Sequence, residues 1–120
     1  MTAPRTQSAR LEDIAEAVGK IGRFLHGKSF EDFSNDALVH DAVVRNLEII
    51  SEASRHLSED TKKLAPEVPW RKVADMGNWL RHAYEKVNDP ILWETIQDGL
   101  PALGEAVRRL LTESGLSSRR

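Results

Sequence analysis

The stretch Leu11-Glu-Asp-Ile-Ala-Glu-Ala-Val-Gly-Lys-Ile-Gly-Arg-Phe-Leu25 puts Leu11, Ile14, Val18, Ile21 and Leu25 in steps of three, four, three and four residues. Those steps repeat one face of an α-helix, about 3.6 residues per turn, and a strand with its period of two cannot produce them. Gly27 follows as a stop signal, because glycine readily takes the left-handed conformation that ends a helix. The helix is amphipathic, so its apolar face must meet another element.

Working outward, the same rhythm returns three times. Val39, Val43, Leu47, Ile50 and Leu57 mark a second long helix, with Asn35 or Asp36 as its N-cap. Leu38, Ala42, Ile49 and Ala53 widen that stripe, as suits an element packed on more than one side. "GKSFEDFSND" reads as a turn-rich connection plugged by Phe30 and Phe33. "APEVPW" breaks the pattern, and Pro69 sits near the first turn of a third helix, where a missing N–H does no harm. Val73, Met76, Leu80, Ala83 and Val87 form that helix's stripe, and "VNDP" ends it. Trp93, Ile96, Leu100, Leu103, Val107 and Leu110 run in step through Pro101, which predicts a last helix kinked or split there. There is no strand alternation and no internal repeat. The expected architecture is all-α, an antiparallel bundle of four to five helices in one domain spanning 1–120, with flexible ends at 1–8 and 114–120.

The chain has 120 residues, 40% hydrophobic and 30% charged, which fits one domain with a real core. No apolar run approaches the roughly 18 residues a membrane span needs. "MTAPRTQSAR" has no apolar h-region, so a secretory signal is not expected and a cytoplasmic address is the default. Without cysteine there is neither a disulfide framework nor a thiolate metal site. The net charge of −2 does not mark a broad nucleic-acid surface, so an RNA contact must be local or built by two subunits. The histidines at 26, 40, 56 and 82 include no H-E-x-x-H pair. The reading therefore calls for no metal and no cofactor.

The polar residues of the third helix carry the chemistry. At about 100° per residue, Asn78, His82 and Glu85 fall within about 60° of one another, with Arg71 and Asp75 near the same face and Arg81 on its shoulder. Charged groups opposite an apolar stripe are ordinarily a solvated surface. The sharper reading is an acid/base site, since an imidazole can exchange a proton near neutrality and a guanidinium can hold a phosphate. Such groups suffice to cleave RNA, whose own 2′-OH is the nucleophile. Trp70 and Trp93 are expected at helix ends, Trp79 at an edge or subunit contact, and His26, His40 and His56 at the surface.

Several blocks, in order, carry a resemblance. "LEDIAEAVGKIGRFLHGKSFEDFSND", "AVVRNLEIISEAS", "PEVPWRKVADM" and "ILWETIQDGLPAL" resemble successive segments of the HepT branch of the HEPN superfamily, ribonuclease toxins of prokaryotic toxin–antitoxin pairs. The likeness covers most of residues 11–111. It implies a dimeric helical bundle whose motif is an Arg, four to six residues, then His, in this branch Arg-Asn-x-x-x-His-x-Tyr. Asn78, His82 and Tyr84 match its Asn, His and Tyr. The resemblance further implies a cleft across a homodimer, and a small nucleotidyltransferase antitoxin that transfers AMP to Tyr84.

The departure is at position 77, where Gly stands in place of the motif arginine. In one reading Arg81, one turn along and about 40° around, supplies the guanidinium by leaning back over the bare glycine. His82 is then the general acid/base and Asn78 orients it or the substrate. In the other reading the site is impaired, and the chain binds the nucleotidyltransferase or RNA without cutting. A helical adaptor that merely mediates assembly is a third. Gly77 itself also fits a close helix–helix contact.

Overall fold

The computed structural model describes residues 6–113 as a helical bundle measuring 41 × 29 × 29 Å. Six α-helices follow one another: α1 (Gln7–Phe24), α2 (Phe30–Asn35), α3 (Ala37–Arg55), α4 (Glu59–Lys63), α5 (Trp70–Leu80) and α6 (Asp89–Glu113). A 3₁₀ turn at Lys86–Asn88 precedes α6, and no strand occurs among the described residues. The all-α expectation holds. The long helices are the four anticipated from periodicity; α2 and α4 are short additions.

The opening stripe is buried as its period requires, with Leu11, Ile14, Ile21 and Leu25 in the core and Val18 packed against it. Thr6 caps α1, its hydroxyl accepting the Ala9 N–H at 3.0 Å. The expected flexible ends at 1–8 and 114–120 lie outside the described residues, apart from Thr6, which caps α1, and 7–8, which begin it. Gly27 has φ 74°, the left-handed stop its position suggested.

"GKSFEDFSND" departs from a plain connection. Ser29 and Asp32 form a reciprocal capping box that starts α2. Phe33 is fully buried and stacks on His40, and Phe30 meets Trp93 edge-on. Asp36 then caps α3, accepting from the Leu38 and Val39 amides. This helix is the hub, packed on α1 and α5, while α1 also packs on α6. Leu38, expected in the widened stripe, is instead exposed in the first turn of α3.

Pro69 stands just ahead of α5, and the Trp70 indole N–H donates to the Ala65 carbonyl at 3.0 Å. The contacts of Ser51 with Ala74 and Gly77, and of His40 with Tyr84, show α3 and α5 running antiparallel. Two boundaries differ from expectation. α5 ends at Leu80, not near Val87, which is exposed; Asp89 and Pro90 of "VNDP" begin α6 rather than terminating its predecessor. Of the kink or split expected at Pro101, the split is absent: α6 is one helix through it. That proline is on the exposed side, where water can bond the carbonyl left without a donor.

Among the described residues no helix is long and apolar enough to cross a membrane. An apolar groove of about 640 Å³ remains between α5 and α6, lined by Val73, Met76, Trp79, Ile91 and Leu103.

Candidate active site at the end of the fifth helix

Asn78 sits exposed in the last turn of α5, and Arg81, His82 and Tyr84 lie in the turn that follows. The chain keeps winding there, more tightly. His82 N–H donates to the Trp79 carbonyl and Ala83 N–H to that of Leu80, both at 3.0 Å and three residues apart. The buried Leu80 and Ala83 anchor this turn to the core, which leaves Arg81, His82 and Tyr84 facing outward. Asn78 and His82 therefore share an exposed flank, though not one continuous α-helix.

Among the described residues the side-chain partner of His82 is Glu85, not Asn78 or Arg81. His82 Nδ1 lies 3.4 Å from Glu85 Oε2. Asn88 Nδ2 donates to the His82 carbonyl at 2.9 Å and reaches Glu85 Oε1 at 3.5 Å. Lys86 Nζ crosses to the Ser34 carbonyl at 2.5 Å and Asn35 Oδ1 at 3.3 Å, tying the turn to the end of α2.

The glycine is explained by α3. Ser51 Oγ accepts the Gly77 N–H at 2.9 Å and donates to the Ala74 carbonyl at 2.8 Å. A Cβ at position 77 would come within 2.9 Å of that hydroxyl and 3.6 Å of Arg55 Nη1. The space beside Gly77 is thus held by Ser51 and Arg55 of α3. Gly77→Ala should destabilise the fold by about 1–2 kcal/mol, since crowding a doubly bonded hydroxyl outweighs the roughly 1 kcal/mol of helix propensity gained. In a Ser51→Gly background the same change should become neutral or stabilising, read as coupling in urea melts. Equal losses in both backgrounds would rule out the contact as the cause.

Tyr84 is exposed on one side and rests its ring on His40, centroids 5.8 Å apart. Partial burial, then the carboxylates of Asp41 and Glu48, raise its hydroxyl above the ordinary value of 10.0. Tyr84 is the single tyrosine, so its ultraviolet titration is unambiguous. The midpoint should lie above that of free tyrosine and fall in Asp41→Asn and Glu48→Gln, because each substitution removes a charge that opposes the phenolate. A midpoint unmoved by both would remove the electrostatic contribution.

One cluster has almost no signature in the sequence. His40, expected at the surface, is buried, its Nε2 3.0 Å from Asp89 Oδ1; Ser34 Oγ donates to Asp89 Oδ2 at 2.6 Å. His40 and Asp89 are far apart in the chain, and only the capping box that creates α2 brings Phe33 and Ser34 over them. Its sole sequence signal is an apolar Phe33 beside polar neighbours. His26 and His56 are exposed as expected, and Trp93 packs on Phe30 and Phe33. Trp79 is partly buried at the groove edge. Among the described residues no three His, Asp or Glu side chains converge to hold a metal ion.

The ribonuclease HepT-like family model matches residues 14–110, a span that contains α2 to α5 and the turn with His82 and Tyr84. A probable ribonuclease HepT of Thermococcus cleftensis is 46% identical over 99 residues, 82% of this chain and 90% of that protein. A candidate RNase of Caldanaerobacter subterraneus subsp. tengcongensis is 37% identical over 107 residues, 89% of this chain and 96% of the relative. Another, from Methanocaldococcus jannaschii, is 32% identical over 103 residues, 86% and 94%. No solved structure matches the chain.

Proposed function

The chain belongs to the ribonuclease HepT-like family, and from that premise we propose that it is a metal-independent endoribonuclease acting as a homodimer. It would be the toxin half of a cytoplasmic toxin–antitoxin pair. The observation that carries this is an exposed imidazole, His82, on a turn anchored by the buried Leu80 and Ala83, with Arg81 beside it in sequence and Asn78 one turn back. His82 takes the proton of a ribose 2′-OH; that oxygen attacks the adjacent phosphorus and the 5′-oxygen of the next nucleotide leaves. Arg81 meets the phosphoryl oxygens as charge builds on them, in place of the arginine absent at position 77. Asn78 orients substrate or imidazole.

Control falls to Tyr84. A small nucleotidyltransferase antitoxin would bring ATP, the Tyr84 hydroxyl would attack its α-phosphorus, and pyrophosphate would leave. Partial burial and the neighbouring Asp41 and Glu48 raise the phenol, so the transfer needs a base to remove its proton. The exposure of Tyr84 supports its access to a second protein.

The chemistry fixes the test. Attack by the 2′-OH leaves a 2′,3′-cyclic phosphate and a free 5′-hydroxyl, which mass spectrometry of digested RNA identifies. RNA left intact by the purified dimer, or products ending in 5′-phosphates, would refute this reading. A second reading has its own observation: position 77 carries no guanidinium, and a Cβ there would meet the Ser51 hydroxyl at 2.9 Å. Under that reading the chain binds RNA or the transferase without cutting, and intact RNA together with saturable binding is the expected result.

A further inference from the structure

The turn after α5 contains a chain of contacts that the reaction above does not use. Glu85 divides its carboxylate, with Oε2 at 3.4 Å from His82 Nδ1 and Oε1 at 3.5 Å from Asn88 Nδ2. The same Asn88 amide donates to the His82 carbonyl at 2.9 Å. Asn88 in turn precedes Asp89, which is locked to His40 and Ser34 in the core. His82 is thus met at its ring by Glu85 and at its backbone by Asn88, the residue that adjoins the buried Asp89.

A neutral imidazole has one donor nitrogen and one acceptor, and the partner of one nitrogen decides the state of the other. A carboxylate can only accept, so Nδ1 beside Glu85 must be the donor. We propose that Glu85, held by Asn88, is the positioning residue that keeps the proton of neutral His82 on Nδ1 and leaves Nε2 as the working nitrogen. The inference rests on His82 being the acid/base group of the ribonuclease reading. When Nε2 takes the 2′-OH proton, the ring becomes an imidazolium with Glu85 already beside it. When Nε2 returns that proton to the leaving 5′-oxygen, the starting tautomer is restored. Nothing else is consumed.

Two readouts test it on the full chain. Nitrogen-15 NMR of the neutral imidazoles, with His82 assigned by its loss in His82→Ala, should show Nδ1–H in the wild type and mainly Nε2–H in Glu85→Ala. In cleavage assays Glu85→Ala should lower kcat about tenfold, less than the whole 10²–10⁴-fold of an acid/base group because the pair is exposed. KM should move by less than about twofold, since Glu85 meets no substrate. Glu85→Gln, whose amide oxygen can still accept from Nδ1–H, should recover most of the tautomer and part of kcat. Asn88→Ala should fall between the wild type and Glu85→Ala on both readouts. Wild-type protein carrying Nε2–H, or a tautomer unchanged in Glu85→Ala, would overturn the proposal. The NMR result does not need RNA, so a chain that never cuts RNA refutes the ribonuclease reading alone, while the tautomer still shows whether Glu85 holds the proton on Nδ1.

Discussion

RNA cleavage should fall by about 10²–10⁴-fold when His82 is replaced by alanine, the range spanned by loss of a positioned acid/base group. The loss should appear in kcat with KM nearly unchanged, because an imidazole that moves a proton contributes little to ground-state binding. Folding should be almost untouched, within about 0.5 kcal/mol, since the His82 side chain is exposed and the turn is anchored by Leu80, Ala83 and the backbone bond from Asn88. That combination separates chemistry from stability. Cleavage by His82→Ala at the wild-type rate would remove His82 from the site and the ribonuclease mechanism with it.

Arg81 and Arg55 refine the same experiment. If Arg81 stabilises the charge developing on phosphate, its alanine variant loses about 10²–10³-fold, the scale of one well-aimed donor. Arg55 is the natural comparison. Its guanidinium stands over Gly77 and pairs with Glu52 at 3.2 Å, so Arg55→Ala tests whether any nearby cation would serve. Gly77→Arg is a poorer probe than the motif suggests, because the new side chain would start 2.9 Å from the Ser51 hydroxyl. Paired with Ser51→Gly, it becomes a fair one.

What could be read from the sequence follows the range of the forces involved. The stripe from Leu11 to Leu25 and the α3 core of Val43, Leu47 and Ile50 are local patterns, and burial simply completes them. The end of α5 is different. The stripe continues in register through Ala83 to Val87, yet the chain tightens after Leu80 because Asn88, Lys86 and Asp89 tether it to His82, Ser34 and His40. Asn88 is a local partner of His82, but Ser34 and His40 lie outside any local window of sequence. At Pro101 the local rule leaves two outcomes, a kinked helix or a split, and one helix runs through the exposed proline. In the site, Asn78, His82 and Tyr84 stand out through the matched motif. The wheel does place Glu85 beside His82, but as one polar neighbour among several. The purpose of Gly77 needs the hydroxyl of Ser51, and the burial of His40 needs Asp89. Both are tertiary facts.

The second large effect lies in that buried cluster. Asp89 is 2% exposed and His40 8%, and both oxygens of the carboxylate are used. Asp89→Ala would strand the imidazole Nε2 and the Ser34 hydroxyl without their shared acceptor, each loss costing about 1–3 kcal/mol. It would also remove the acidic residue from the first turn of α6, about 0.3–1 kcal/mol more. Together these give about 3–5 kcal/mol, the usual cost of removing one member of a buried polar pair, and a fall in Tm on the order of 10–20 °C. Asp89→Asn, which keeps the shape and one acceptor, should lose about half as much. A double-mutant cycle with His40→Phe, whose ring can still stack on Phe33, should show strong coupling, because the orphaned imidazole is then gone. Urea melts measure all four proteins; a loss below about 1 kcal/mol for Asp89→Ala would mean that water replaces the carboxylate at little cost. The consequence reaches the surface. Asn88 adjoins Asp89 and holds His82 by its carbonyl, so a variant that stays folded should also loosen the His82 turn, seen as faster amide exchange at residues 82–85.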